Sequence, residues 1–114
     1  MPNFDVWSIV RTPFPYTDRP IRQHRPALVV AVSNAKDEHG LLWVLMITSA
    51  ANRGWSSDVE ISDIALGGLP IPSIVRTAKI ATIESGVAER IGTLSDGDRQ
   101  RVRELLSEHL CNVL

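Results

Sequence analysis

The sequence predicts a mainly β protein of the α+β class, a small and strongly bent antiparallel barrel with one C-terminal α-helix packed on it. Three observations predict this fold. Short apolar segments rich in β-branched residues recur along the chain, turns rich in Gly and Pro separate them, and the hydrophobic period becomes helical after Ser95. With 114 residues the chain can bury one core, so residues 1–114 are expected to form a single domain.

The first three strands are predicted from apolar runs bounded by turn signals. Residues 4–11 alternate loosely and are rich in Val, Ile and Trp, and a proline-rich loop ends them. Residues 25–33 are predicted to form the second strand, with Pro26 at its start, where proline is tolerated. A polar turn closed by Gly40 leads to residues 41–48, which are apolar on both sides and therefore predict a central strand.

Shorter apolar runs follow. Residues 58–61 alternate and predict a short strand, and the glycine pair Gly67–Gly68 is expected to serve a turn. Residues 73–83 are again β-branched and predict either one bent strand or two short ones. A last short strand is expected around Gly92.

The helix is predicted by a change of period. Ser95 and Asp98 resemble a capping box, with Asp in place of the usual Glu or Gln. The apolar residues beyond them fall on one helical stripe and predict a helix over about residues 96–112. That stripe consists of Val102, Leu105, Leu106, Leu110 and Val113.

Composition narrows the function classes. A formal net charge of −1 means that an anionic partner must be held by local clustering of cations. The single cysteine, Cys111, suits a reducing compartment, and the chain shows neither a signal peptide nor an apolar run of roughly 20 residues. We therefore expect a cytoplasmic protein without a membrane partner. The three histidines, His24, His39 and His109, are scattered along the sequence, so we expect no metal site. The chain has no glycine-rich phosphate motif, and we expect no cofactor.

Polar and basic side chains collect where the second strand begins and the third ends. If these strands pair antiparallel through the turn at residues 34–40, Arg25, Thr48 and Ser49 share one rim of the barrel. Arg76 and Lys79, near the start of a later strand, could reach the same rim. A guanidinium and two hydroxyls suit a phosphate oxygen, so the sequence predicts an anion site there.

Five motifs occur in an order and spacing that resemble the MazF/PemK toxin family. They are "PFPYTD", "RPALVV", "MITSA", "GLPIPSIVRTAKIATIE" and "IGTLSDGD", and the resemblance runs from Asp5 to Leu110. It implies an SH3-like barrel homodimer, the toxin of a toxin–antitoxin pair, which cleaves single-stranded RNA at short sequences without metal. It also implies a cognate antitoxin that lays an acidic C-terminal segment into the substrate groove.

The resemblance also implies roles for individual residues. Arg25 matches the family's catalytic arginine, and Thr48 matches its catalytic hydroxyl residue. Ser49 matches a polar position that helps to hold RNA, and Arg76 matches an arginine that some members use in catalysis. Some members carry an Asp two residues after that arginine, where this chain has Ala78, so a mechanism that depends on that carboxylate cannot operate here.

The chemistry of metal-free RNA cleavage suggests further assignments. The 2′-hydroxyl attacks in line and leaves a 2′,3′-cyclic phosphate and a 5′-hydroxyl, which requires proton transfer and stabilisation of added negative charge. Arg25 suits charge stabilisation because arginine stays protonated. His24 is the candidate for proton transfer because histidine exchanges protons near neutral pH. Contacts to RNA are predicted for Ser49, Arg22, Arg53, Arg76 and Lys79.

Other interpretations are open at this point. A CcdB-like gyrase poison shares the barrel but needs no phosphate-binding rim, and a catalytically weak member that retains only antitoxin binding is favoured by Ala78 alone. Arg25 could instead pair with Asp5 or Asp18, and Thr48 and Ser49 could simply bond backbone at a strand end. Arg76 and Lys79 could form an exposed strand face.

Overall fold

The computed structural model of the chain describes residues 4–13, 24–33 and 40–110. In chain order the elements are β1 (Ser8–Pro13), β2 (His24–Val32), β3 (Leu41–Ser49), a 3₁₀ turn (Ala50–Asn52), β4 (Asp58–Glu60), β5 (Ser73–Glu84), a second 3₁₀ turn (Ser85–Val87), β6 (Glu89–Thr93) and α1 (Asp96–Leu110). Among the described residues, no helix combines the length and the apolar character that a bilayer crossing requires.

The six strands form one antiparallel sheet in the order β4-β5-β3-β2-β1-β6. β3 pairs along both edges, which confirms the predicted central strand. The register between β3 and β5 moves from Leu45↔Ile80 to Met46↔Arg76, and the extra residues of β5 bend the sheet there. The predicted fold class is confirmed: the sheet is strongly bent, although its end strands β4 and β6 do not pair with each other in the described part of the chain.

The start of β1 differs from the prediction by four residues, the bounds of β2 to β5 agree to within one residue, and the structure decides between the alternatives for β5. The strand predicted from residue 4 begins at Ser8, because Trp7 adopts a positive φ of 79° and residues 6–7 form a turn. β5 is a single bent strand rather than two short ones. The predicted turn residues 34–39 lie outside the described residues.

The core consists of two clusters on opposite faces of the sheet. Alternation along the strands separates them, since Ile9 and Leu28 belong to one cluster and the adjacent Val10 and Val29 belong to the other. The helix covers the first cluster through Val102, which is fully buried, and through the partly buried Leu105 and Leu106. This confirms the predicted stripe for those three residues, whereas the Leu110 side chain and Val113 lie outside the described part.

The start of α1 is tied to the segment that follows β4. Asp98 is buried, and its Oδ2 accepts hydrogen bonds from Ser62 N at 2.8 Å and Ser62 Oγ at 2.9 Å. Its Oδ1 contacts the Arg101 guanidinium. Both carboxylate oxygens are therefore engaged outside the box predicted with Ser95, and Oδ2 joins the helix to a loop 36 residues away in sequence.

Two glycines allow a loop backbone to lie directly against β6. Gly68 has a φ of 69°, and a Cβ on it would overlap the carbonyl of Ile91. A Cβ on Gly92 would in turn overlap the backbone of Gly67. The turn predicted at Gly67–Gly68 is thus confirmed, and its close contact with β6 holds the residues that follow it, beginning with Leu69.

Replacing Gly92 by Ala tests this contact. We expect Gly92→Ala to lower the free energy of unfolding by about 3 kcal/mol, because neither backbone can move away without disturbing the sheet. Gly97→Ala is the matched control, since a Cβ there meets nothing within 4 Å and lies in the first turn of α1. It should raise stability by about 0.5–1 kcal/mol. Urea unfolding measures both, and equal effects would contradict the close contact.

Candidate functional site

A groove of about 300 Å³ lies where β2 begins and β3 ends. The strand register produces it, because Ala27 of β2 pairs with Met46 of β3 and the start of one strand therefore lies beside the end of the other. This confirms the predicted antiparallel pairing. The lining residues are Arg11, His24, Arg25, Pro26, Ile47, Thr48, Ser49, Asn52, Gly68, Leu69, Pro70, Ile71, Ser73 and Ile91.

The groove contains four of the residues selected from the sequence. His24 and Arg25 come from the start of β2, and Thr48 and Ser49 come from the end of β3. His24 is exposed, whereas the other three are partly buried. The predicted rim of a guanidinium and two hydroxyls is therefore present as a local arrangement.

Arg11 is a groove residue that the sequence did not indicate. It lies on β1 and pairs in register with Pro26, which places it next to the start of β2. Only the pairing of β1 with β2 reveals this position, since Arg11 belongs to no motif. Among the described residues that line the groove there is no Asp or Glu, so its fixed charges are those of Arg11 and Arg25.

Both hydroxyls of the rim accept a hydrogen bond from an amide. Asn52 Nδ2 donates to Thr48 Oγ1 at 3.0 Å, and the backbone N of Ala51 donates to Ser49 Oγ at 3.2 Å. A hydroxyl has one proton and two acceptor sites, so each keeps its proton for another partner. Two such donors beside a guanidinium favour a ligand that presents anionic oxygens.

The remaining lining of the groove is largely apolar. Leu69, Pro70 and Ile71 follow the Gly67–Gly68 turn, and Ile91 belongs to β6. Ile71 is 49% exposed, and its carbonyl oxygen accepts a hydrogen bond from Ser73 Oγ at 2.9 Å. The groove thus combines polar donors with an apolar surface.

Arg76 lies outside the groove and beneath the loop that borders it. Its Nε and Nη2 each donate to Asp58 at 3.1 Å, and Nη2 also donates to the carbonyl oxygen of Asn52 at 2.7 Å. Its guanidinium lies 4.2 Å from the ring centroid of Trp55. Only 8% of Arg76 is exposed, so for this residue the alternative of an exposed strand face is wrong. Its role in binding RNA stays a prediction.

The other predicted cations that the structure describes, Lys79 and Arg53, do not line the groove. Lys79 is partly buried on β5. Arg53 is exposed and forms an ion pair with Glu60 at 3.0 Å. Arg22 lies outside the described residues. Ala78 is exposed and is not a lining residue either.

The described residues contain no group of three His, Cys, Asp or Glu side chains that could hold a metal ion. The structure combines a bent β-sheet, a terminal helix and a groove whose described lining includes two arginines and no carboxylate. The sequence matches the model of the PemK-like, MazF-like toxins of type II toxin–antitoxin systems over residues 5–110. The chain therefore belongs to this family, as the five motifs indicated.

Solved structures show the same fold. MazF (Form-I) from Deinococcus radiodurans is 24% identical with a TM-score of 0.73, and the alignment covers 94% of this chain and 96% of that one. A MazE–MazF complex (Form-II) from the same organism is 22% identical with a TM-score of 0.70 and 93% coverage of both chains. An endoribonuclease in complex with its cognate antitoxin, from a mycobacterial species, is 18% identical with a TM-score of 0.67 and 92% coverage of both. A comparison with curated protein sequences finds no match.

Two ion pairs of β4 differ in burial and allow a matched test. Asp58→Ala should lower the free energy of unfolding by about 3–5 kcal/mol, because it leaves the Arg76 guanidinium buried without its carboxylate. Glu60→Ala removes a pair whose side chains are 64% and 70% exposed and should cost less than about 1 kcal/mol. Chemical denaturation compares the two, and similar losses would show that Arg76 recovers its hydration when Asp58 is removed.

Proposed function

We propose that this toxin is an endoribonuclease that cleaves single-stranded RNA at specific sequences without a metal ion. In this mechanism the RNA 2′-hydroxyl attacks the adjacent phosphate and leaves a 2′,3′-cyclic phosphate and a 5′-hydroxyl. The observation that carries the proposal is the groove in which Arg25, Thr48 and Ser49 meet and which no described carboxylate lines. Membership of the MazF-like toxin family supports it.

The described rim suits the charge that develops at phosphorus. Arg25 would bind the non-bridging oxygens, since a guanidinium presents several donors in a fixed geometry. Thr48 and Ser49 would donate their free protons to the same oxygens, because their acceptor sides already face amide N–H groups. Donors that are held in place before the reaction stabilise the transition state most effectively.

His24 is our candidate for proton transfer. It is exposed at the edge of the groove, one residue before Arg25, and it is the one histidine among the described lining residues. Such a position would let it reach the attacking or the leaving oxygen of a bound RNA.

Cations around the groove would hold the rest of the RNA. Arg11 lines the groove and is a proposed RNA contact. Arg22, Arg53, Arg76 and Lys79 stay proposed RNA contacts from the sequence, and the last three lie outside the described lining. Contacts of this kind go to phosphates and give an affinity that falls with salt. They position the strand and do not themselves read its sequence.

We also propose a cognate antitoxin, a homodimer and a cytoplasmic site of action. An acidic C-terminal segment of the antitoxin would complement a groove that carries Arg11 and Arg25 and no described carboxylate. The Deinococcus radiodurans and mycobacterial structures that contain an antitoxin support such a partner. Large apolar side chains that remain about half exposed support self-association, as seen for Val32, Trp43 and Ile80.

A cleavage assay tests the proposed activity. Wild-type protein is incubated with a long single-stranded RNA in EDTA, and the new ends are mapped. We expect discrete cuts with cyclic phosphate ends, and a loss of at least about 100-fold for Arg25→Ala, because the transition state loses its charge partner. Arg90→Ala, which removes an exposed arginine of β6 that does not line the groove, should cleave like the wild type.

Intact RNA after incubation with folded wild-type protein would overturn the proposal. Gyrase supercoiling would then be the next measurement, and growth arrest that survives Arg25→Ala would favour a gyrase poison. Failure of the wild type to arrest growth would favour a member that keeps only antitoxin binding. Sedimentation of the same samples tests the dimer, since a monomer at assay concentration would contradict it.

The role of His24 is tested by the pH dependence of cleavage. His24→Gln should change the pH dependence of the cleavage rate and lower the rate about 100-fold, because Gln cannot exchange a proton. Gln keeps a polar side chain of similar size, so the groove should still bind RNA. An unchanged pH–rate profile would remove His24 from proton transfer.

A further inference from the structure

We propose that Asn52 is a positioning residue for RNA cleavage, which orients the Thr48 hydroxyl towards the substrate. This inference rests on the proposed function and deepens it. Asn52 lines the groove, and its Nδ2 lies 3.0 Å from Thr48 Oγ1. Neither the motifs nor the rim predicted from the strands included this residue.

The direction of this hydrogen bond matters for the chemistry. A phosphate oxygen only accepts hydrogen bonds, so Thr48 must donate its proton to be useful. The Asn52 amide occupies an acceptor site of the hydroxyl and thereby leaves the proton for the groove. Without that amide, the hydroxyl is free to rotate and to donate elsewhere. Asn52 would therefore act on the reaction through Thr48.

The backbone that carries Asn52 is held from both sides. Asn52 ends the 3₁₀ turn Ala50–Asn52, in which Ser49 Oγ accepts from Ala51 N and Arg53 N donates to Ala50 O at 3.2 Å. Ala50 N donates to Pro72 O at 2.9 Å, which ties the start of the turn to the segment before β5. The turn is thus fixed relative to the sheet.

A buried ion pair completes this support. The Asn52 carbonyl oxygen accepts from Arg76 Nη2 at 2.7 Å, and Asp58 and the Trp55 ring hold the Arg76 guanidinium. The side chains of this pair are only 10% and 7% exposed, so solvent competes little for it. The contacts run without a gap from Asp58 through Arg76 and Asn52 to Thr48.

A double-mutant cycle tests the inference. The wild type, Asn52→Ala, Thr48→Ala and the double variant are assayed on an RNA oligonucleotide that spans a cleavage site mapped for the wild type. Asn52→Ala should lower kcat about 10-fold and change KM less than about 2-fold, since it misorients a group needed in the transition state. In the Thr48→Ala background the same change should have no further effect.

A nearly isosteric variant tests the direction of the bond. Asp at position 52 offers only acceptors, so Asn52→Asp should draw the Thr48 proton away from the groove and lower kcat more than Asn52→Ala does. Ser56→Ala, an exposed change in the same loop outside the groove, is the control and should leave kcat unchanged. Thermal unfolding of each variant identifies any loss that is due to misfolding.

An unchanged kcat for Asn52→Ala, or an equal loss with and without Thr48, would overturn the positioning role while the wild type still cleaves. A lack of cleavage by the wild type would instead overturn the proposed function and this inference together. A loss of kcat for Asn52→Ala that disappears in the Thr48→Ala background would support the positioning role of Asn52.

Discussion

The register between β2 and β3 is the constraint on which the rest of this structure depends. β3 is the centre of the sheet, and Ala27 pairs with Met46 while Leu28 pairs with Leu45. A slip by one residue would exchange the faces of Leu28 and Val29 and so disrupt both core clusters, because side chains alternate between the faces of a strand. The same slip would separate Arg25 from Thr48. Burial of the core thus enforces the geometry of the groove.

A second level of support comes from a buried ion pair. Burying charges costs desolvation energy, and apolar replacements often serve stability as well or better. Arg76 and Asp58 do more than fill space, because Arg76 also holds the Asn52 carbonyl at the border of the groove. This arrangement explains the burial of an arginine that the sequence pattern placed on a rim. Its guanidinium supports the loop from below.

Much of the fold follows from local pattern, whereas part of the site does not. Period-two alternation and turn residues located the strands, and the helical stripe located α1. Arg25 and Thr48 were found because each lies at the end of an apolar run. The predicted start of β1 was wrong because Trp7 has a positive φ, which its neighbours in sequence do not indicate. Trp7 contacts distant segments, and its backbone N donates a hydrogen bond to Val29 O. Arg11 was missed because only strand pairing brings it to the groove.

The charge distribution bears on how a chain with a net charge of −1 could bind the anionic substrate that we propose. No described acidic residue lines the groove, although Glu89 of β6 pairs in register with the groove residue Arg11. Asp58 and Asp98 are buried in ion pairs, and Glu60 pairs with Arg53. The described lining of the groove thus contains two arginines, Arg11 and Arg25, and no carboxylate, although the whole chain has a net negative charge. Under the proposed function, RNA and an acidic antitoxin segment would both bind these arginines. The two would then compete for the same cations.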